Sequence, residues 1–524
     1  MALRKALRIR AEVALILIIL IAGLVDLERM PPLWWDEGWT LSVARNWVER
    51  GHYGQLLDGE PMPPGLAAAF PVVAPIALSF RLLGVGIGSG RLPGVLFTFG
   101  ALALTYHLAN RLYNRSVAIG SLVVLLFMSN PHPIYMGRQA LGEMPALFFL
   151  LAGYALFLSA LRRSPWLMAP AAMVWGISLA TKAQVLPFWL VSLLLPLSIA
   201  LLKRWWKLSA WLAIGLIGSG SAAWLLRWLQ GMILSGLTLP GVPAAGLYDI
   251  TAIVLHADTR RAAVGLAMAF GLPTLLGFGY AAWTLLRHLH QPTLNVDLYV
   301  ARLALLSLSA SWFAWYVLLS AGAERYLFPA VFTGSVFVSV LLHDLIRVAR
   351  QKSFTGLSHG GTQRTEKNSV VAVSQPPNKA GSLIRATVGA RLAIALIALM
   401  VPLTLLVHGI AYAYGLSQSA SRVAAFLNGQ TASNALIETY DSELFFLLNR
   451  RYHYPPDQIH VELIRRASLH QAVPIEYDPR AADPDYLVVG PYSRQWRLYD
   501  PALASGSFRL IAEFPRYQVY ERVR

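Results

Sequence analysis

The chain has no cysteine. Disulfides, a thiol nucleophile and cysteine-ligated metal are thereby excluded, and the redox compartment is left open. Charge is also scarce. Only 14% of the 524 residues are charged, where a soluble protein carries about 25%. Acids are fewer than bases, 27 against 44, which gives a formal net charge of +17. A basic excess can signal nucleic acid. Here, however, Lys and Arg cluster between apolar runs, as topology determinants of membrane proteins do, so no nucleic-acid partner is expected. In place of charge there is apolar sequence, 56% hydrophobic. The expected fold class is an α-helical polytopic membrane protein embedded in the lipid bilayer of the cell membrane.

A membrane-crossing helix needs about 20 apolar residues. Arg4, Lys5, Arg8 and Arg10 precede the apolar run Val13 to Val25, as in a signal peptide, but Asp26, Leu27, Glu28, Arg29 and Met30 follow where a small-residue cleavage site would stand. The segment is expected to be an uncleaved first span with a cytoplasmic N-terminus. Spans are expected at 11–28, 92–110, 116–131, 145–161, 165–181, 184–202, 208–230, 262–286, 302–320, 326–346 and 388–414. Residues 64–83 are apolar too, but hold Pro64, Pro71 and Pro75. If they crossed, Arg111, Arg115, Lys203, Arg204 and Lys207 would fall outside. If they only dip in, those residues join Arg162, Arg163, Arg287, Arg347, Arg350 and Lys352 in the cytoplasm, as the positive-inside rule requires. Eleven spans and a re-entrant or interfacial 64–83 segment follow.

The domains expected are a transmembrane module over 1–350, a disordered cytoplasmic linker rich in Gly, Ser and Pro over 351–386, a last span over 387–416, and a small α/β extracytoplasmic domain over 417–524. In that domain Asn434 to Thr439 and Tyr486 to Val489 read as buried strands, Asp441 to Arg450 as helical, and Phe508–Phe514 with Tyr517–Val523 as a hairpin around Pro515-Arg516.

This topology sends Asp36, Glu37, Glu60, Glu143, Lys182, Glu324 and Arg325 to one face, although they come from five places in the sequence. Ionisable groups at membrane level are costly and suggest function. Each also has a plainer reading. Asp36 and Glu37 could complement a helix dipole; as neighbours on a helix, at most one should face a given ligand atom while the other anchors the loop. Glu60, with its backbone fixed by Pro61, Pro63 and Pro64, could be a solvated loop acid. Glu143 could cap its helix or pair with Arg138, and Lys182 could snorkel. Arg325 is poorly placed to pair with Glu324 and would seek an external anion. His132, His256 and His453 are lone histidines on the same face. Trp34, Trp35, Trp39 and Trp47 could form an interfacial belt or stack on a sugar. The loop 231–261 could serve as a mobile lid.

Five short stretches together resemble the GT-C class of membrane glycosyltransferases, nearest to the bacterial family of protein O-mannosyltransferases and aminoarabinose transferases. They are WWDEGW, EPMPPG, GRQALGEMP, TKAQVLPF and ERYLFPA, spread over about residues 10–350. Departures exist: Met62 and Pro61 interrupt the second motif, Glu143 stands where that family often has Asp, and Ala183 replaces Gly. The resemblance implies transfer of a sugar from a polyprenyl-phosphate-linked donor to an acceptor hydroxyl or amine, with inversion. Asp36 would be the general base, with Glu37 and Glu143 as the other catalytic acids. Lys182, Arg325 and Arg138 would bind the donor phosphate. Glu60 and His256 would orient the acceptor or hold a divalent metal, whose requirement stays open. The competing functions are a transporter or flippase for a lipid-linked sugar, disfavoured by the lack of duplicated halves, and a non-catalytic assembly protein acting through 417–524. Sugar and acceptor are not specified.

Overall fold

The computed structural model describes residues 2–65, 68–234, 253–289, 291, 294–355, 379–415 and 418–524. Helices α1 (Ala2–Leu24), α2 (Trp35–Arg50), α3 (Phe70–Leu83), α4 (Ile87–Leu112), α5 (Arg115–Phe127), α6 (Pro133–Gly137), α7 (Glu143–Arg162), α8 (Met168–Thr181), α9 (Leu186–Leu202), α10 (Trp206–Leu234), α11 (Ala257–His288), α12 (Val296–Leu318), α13 (Glu324–Thr355) and α14 (Lys379–Gly415) build the apolar module. Between α2 and α3 lies a small hairpin, β1 (Gln55–Leu57) and β2 (Glu60–Met62).

Eight of these helices are long and apolar enough to cross a bilayer, and apolar helices of 10–17 residues occupy 12–24, 70–83, 115–127 and 165–181. The chain is a multi-pass membrane protein. Every expected span coincides with a helix, but three are shorter than expected. The 116–131 segment ends at Phe127, where Pro131 and Pro133 deny the backbone donors a longer helix needs. At 165–181 the α-helix proper is 14 residues, preceded by a 3₁₀ turn at Pro165–Leu167. The side chains described for α1 cover only Glu12–Leu24 as apolar helix. Within 64–83, α3 has 14 residues, about 21 Å at 1.5 Å per residue, short of a core about 30 Å thick. Val72, Val73, Ile76 and Phe80 face inward, while Leu78, Leu82 and Leu83 are exposed.

The helices pack in a connected bundle in which α8 lies against both α7 and α10, α9 against α12, and α13 against α5, α11, α12 and α14. Close approach is built in at α7–α8: a Cβ on Gly153 would stand 2.3 Å from Trp175 Cδ1, so only glycine leaves room for that fully buried indole. Outward faces carry apolar side chains such as Ile217, Trp224 and Leu406, which in a membrane protein contact lipid.

The expected linker is partly helical, since α13 runs on to Thr355 and α14 begins at Lys379; the rest of it, 356–378, lies outside the described residues, as does 235–252 of the expected lid. After α14 and α15 (Ser419–Gln430) come β3 (Leu436–Thr439), α16 (Glu443–Leu447), β4 (Arg451–His453), α17 (Asp457–Leu469), β5 (Tyr486–Val489), α18 (Pro491–Gln495), α19 (Asp500–Ala504), β6 (Phe508–Glu513) and β7 (Gln518–Arg522). The sheet order is β4-β3-β5-β7-β6. The first three strands are parallel, β7 and β6 antiparallel, with a register shift between Leu510 and Ala512. β3 is buried throughout. Its Glu438 carboxylate survives in the core because it accepts from Tyr477 and Tyr499 at 2.8 Å each and meets His453 Nδ1 at 2.6 Å.

Candidate active site

α2 starts without a side-chain cap at Trp34; instead Asp36 and Glu37 occupy its first turn, where acids complement the helix dipole. One helical step apart, the two carboxylates go different ways. Glu37 is fully buried. Its oxygens accept from Arg91 Nε and Nη2 at 2.7 Å each, and Oε1 also accepts from Ala140 N at 3.0 Å. Expected among the catalytic acids, Glu37 has no path to a ligand and acts as an anchor. Asp36, 19% exposed, forms an ion pair with Arg325 at the start of α13. The Arg325 guanidinium also lies 5.2 Å over the Trp34 ring.

A second ion pair forms nearby. Glu143, the first residue of α7 and 4% exposed, holds Lys182, which closes α8. A small cleft links the two pairs: Glu143, Lys182, Gln184 and Arg325 line it along with Ala146, Leu147, Leu150, Val185, Trp312 and Pro329. Four residues from four distant segments thus meet at one end of the bundle. Glu143, Lys182 and Arg325 line it beside apolar side chains from α7, the 183–185 turn, α12 and α13, and Asp36 reaches it through its pair with Arg325.

Other expected residues stand apart. Arg138 does not pair with Glu143. Its Nη2 donates to Val25 O at 2.5 Å and its Nη1 to Ala22 O at 3.3 Å, which satisfies carbonyls at the end of α1. Glu60 is exposed on β2 and does not line the cleft. His132 meets Leu126 O through Nε2 at 3.0 Å and accepts from Ile134 N through Nδ1 at 3.2 Å, so both ring nitrogens are satisfied. His453 is committed to Glu438. The tryptophans of the first loop pack against protein groups. Trp35 stacks on Trp39 at 5.5 Å and on His460 at 4.7 Å, Trp39 donates to Pro64 O at 2.8 Å, and Trp47 meets Tyr53 edge-on.

His256 joins two residues that sequence reasoning did not single out for metal. Ligand atoms of His256, Asp258 and His470 all lie within 4.8 Å of one another. Two imidazoles and a carboxylate make a set that suits zinc-like divalent ions, so these residues fit the metal left open above. Asp258 is also paired to Arg261. Arg260 was missed as well. Its Nη1 donates to Tyr316 O and Val317 O, while Nε and Nη2 are buried without a partner among the described residues. The sequence held a signal for it: Arg260-Arg261 sits at a helix start, where the dipole disfavours cations.

The C-terminal domain closes over α2. Trp35 Nε1 donates to Tyr440 O at 2.8 Å, and Arg45 Nη1 to Phe446 O at 2.8 Å. At this joint Glu443 is buried, and burial together with the nearby Asp441 charge pushes its carboxyl up to about 8. Tyr517 donates to its Oε1 at 2.5 Å.

No family model matches the chain, and no curated protein matches it. Solved structures do. ArnT from Cupriavidus metallidurans bound to undecaprenyl phosphate superposes with a TM-score of 0.63 at 15% identity, over 98% of this chain and 98% of that one. Its apo state gives 0.62 at 14% identity, over 98% and 97%. The archaeal oligosaccharyltransferase AglB from Archaeoglobus fulgidus, in complex with an inhibitory peptide and a dolichol-phosphate, gives 0.54 at 10% identity, over 99% of this chain and 75% of that one. At such identities the shared feature is the fold: this chain has the architecture of those proteins, a polytopic helical module with a C-terminal domain containing a sheet.

Proposed function

We propose that the chain is a glycosyltransferase that moves a sugar from a polyprenyl-phosphate-linked donor to an acceptor at the outer face of the membrane, with inversion. The observation that carries this reading is an apolar cleft lined by Glu143, Lys182 and Arg325, with Asp36 paired to Arg325 and Glu143 to Lys182. The structural neighbours carry undecaprenyl phosphate on ArnT and a dolichol-phosphate on AglB, which supports a lipid phosphate as the ligand class.

The chemistry is a single displacement. Asp36 takes the proton of the acceptor hydroxyl or amine. The acceptor atom attacks the anomeric carbon from the face opposite the phosphate, the carbon–oxygen bond to phosphate breaks, and the lipid phosphate leaves with the bonding pair. Lys182 and Arg325 stabilise that charge. In the free protein each cation is held by a carboxylate; an arriving phosphate competes for both, which releases Asp36 for the acceptor. Glu143 keeps Lys182 aimed. Glu37 and Arg138 brace the site, and Glu60 stays outside the reacting set.

The test is turnover: purified protein with a labelled polyprenyl-phosphate sugar should release lipid phosphate and glycosylated acceptor. Flipping of the label across a vesicle membrane without turnover points to a carrier instead. Lys182→Met is expected to lower kcat/KM for the donor by about 10²-fold, the scale for losing one donor aimed at developing charge. Arg325→Lys should also lose activity, because Lys cannot grip two phosphate oxygens. An unchanged donor kcat/KM in both variants removes them from the phosphate site.

His256, Asp258 and His470 would hold a divalent cation that ties the start of α11 to the C-terminal domain. Chelation is then expected to lower the melting temperature, and zinc to restore it in wild type but not in His256→Ala or His470→Ala. A melting temperature indifferent to chelator shows that no metal binds there.

A further inference from the structure

We infer that the C-terminal domain is a working part of the active site, and that Gly38, Arg45 and Ser442 are positioning residues that aim Asp36. This rests on the transferase reading above. α2 is gripped along one face by the C-terminal stretch Tyr440 to Asn449, with Tyr454 and His460 adding ring contacts to Trp39 and Trp35. Trp35 Nε1 donates to Tyr440 O at 2.8 Å, and Ser442 Oγ donates back to Trp35 O. At Gly38 the two backbones touch: a Cβ there would lie 2.2 Å from Glu443 Cα, 2.6 Å from Glu443 N and 2.6 Å from Ser442 O. Two turns on, Arg45 Nη1 donates to Phe446 O at 2.8 Å and Leu448 O at 3.0 Å, and Nη2 to Asn449 Oδ1 at 2.7 Å. The carbonyls Arg45 serves lie at the end of α16, where helix acceptors otherwise lack partners.

Positions 35, 38 and 45 fall on one side of a helix that turns about 100° per residue. Asp36 and Glu37 project from the other sides, toward Arg325 and Arg91 respectively. The residues on both sides of Asp36 are therefore clamped, Trp35 and Gly38 by the C-terminal domain and Glu37 by α4. That matters because a general base works only within about 2.6–3.2 Å of the proton it takes, and a misplacement of about 1 Å can cost 10²-fold in rate. The C-terminal domain thus contributes geometry without contributing a reacting group.

The test compares Gly38→Ala, Arg45→Ala and the milder Trp35→Phe, which removes the bond to Tyr440 O and keeps an aromatic ring, though a smaller one, against Trp39 and His460. Arg451→Ala is the control, because its ion pair with Asp58 at 2.9 Å joins the same domain to the β1–β2 hairpin and not to α2. The expected result is kcat lowered by about 10²-fold in Gly38→Ala, and by about 10-fold in Arg45→Ala and severalfold in Trp35→Phe, on the same scale. The donor KM should stay within about twofold and the Arg451→Ala rate unchanged; a purely structural loss would reduce folded yield without splitting kcat from KM. If Gly38→Ala does not fold, Arg45→Ala and Trp35→Phe decide. Folded variants with wild-type kcat overturn the inference alone. A wild-type protein that never turns over a polyprenyl-phosphate sugar overturns the transferase reading and the inference together.

Discussion

Asp36→Asn is expected to lower kcat by about 10²–10⁴-fold, the range for losing a positioned base, while the protein stays folded. Asn matches Asp in shape and cannot take a proton. The substitution leaves the backbone of the first turn of α2 alone, including the bond from Thr40 Oγ1 to Asp36 O at 3.1 Å. It also removes one half of an ion pair that is only partly sheltered, with Arg325 27% and Asp36 19% exposed. Asn keeps an acceptor oxygen for Arg325, so the melting temperature in detergent should move by no more than a few degrees. Freed of its carboxylate, Arg325 still meets the phosphate, and the donor KM should hold or fall. A kcat loss without a KM rise is the signature of a group that acts in the transition state. If Asp36→Asn keeps the wild-type rate, the base lies elsewhere, and Glu143 and Glu324 are the next carboxylates to test.

How far this site could be read from sequence depends on what kind of signal each residue left. Asp36, Glu143, Lys182 and Arg325 were legible because each is an ionisable group at the end of an apolar run, and the basic clusters at the opposite ends sort the runs into one orientation. Their convergence needed the structure, since nothing in the spacing of residues 36, 143, 182 and 325 says that Asp36 pairs with Arg325 or that the other three line one cleft. Arg138 was read as a ligand for phosphate or Glu143 because a loop cation has no marked destination in sequence; the structure gives it the carbonyls of Ala22 and Val25. In the C-terminal domain, β5 was legible as Tyr486 to Val489, and β3, β6 and β7 to within two residues at each end, because runs such as YLVV are too short and β-branched for a helix. β4 was not, since Arg451-Tyr452-His453 alternates polar and apolar over only three residues. Asp441 to Arg450 was expected to be helical, but the helix is the five residues of α16, after which the chain turns out to serve Arg45. Contacts over such sequence separations leave no local trace.

Arg91 is the clearest case of a residue the sequence hides, and the one whose loss should damage the fold most. It lies one residue before the expected span 92–110, looks like a stray charge at a span end, and proves fully buried inside α4. Its guanidinium donates twice to Glu37 at 2.7 Å and once to Leu27 O at 2.9 Å, so that α4, the first turn of α2 and the segment after α1 share one knot, to which Ala140 N adds the 138–142 turn. Arg91→Met would leave the Glu37 carboxylate buried with only the Ala140 N–H, and breaking one partner out of a buried pair costs about 3–5 kcal/mol. Against a total stability of about 5–15 kcal/mol that is severe, and the expected outcome is a large drop in melting temperature and in monodisperse yield from detergent. Adding Glu37→Gln removes the uncompensated charge, so the Glu37→Gln/Arg91→Met double variant should recover much of that loss, which a double-mutant cycle measures directly. Stability equal to wild type in Arg91→Met alone would show that the pair is no anchor. The double variant has a second use. It should be folded but slow, because Glu37 follows Asp36 in the same turn and a loosened turn no longer presents the base to the acceptor; a double variant both stable and fully active would show that α2 needs no fixing from the α4 side.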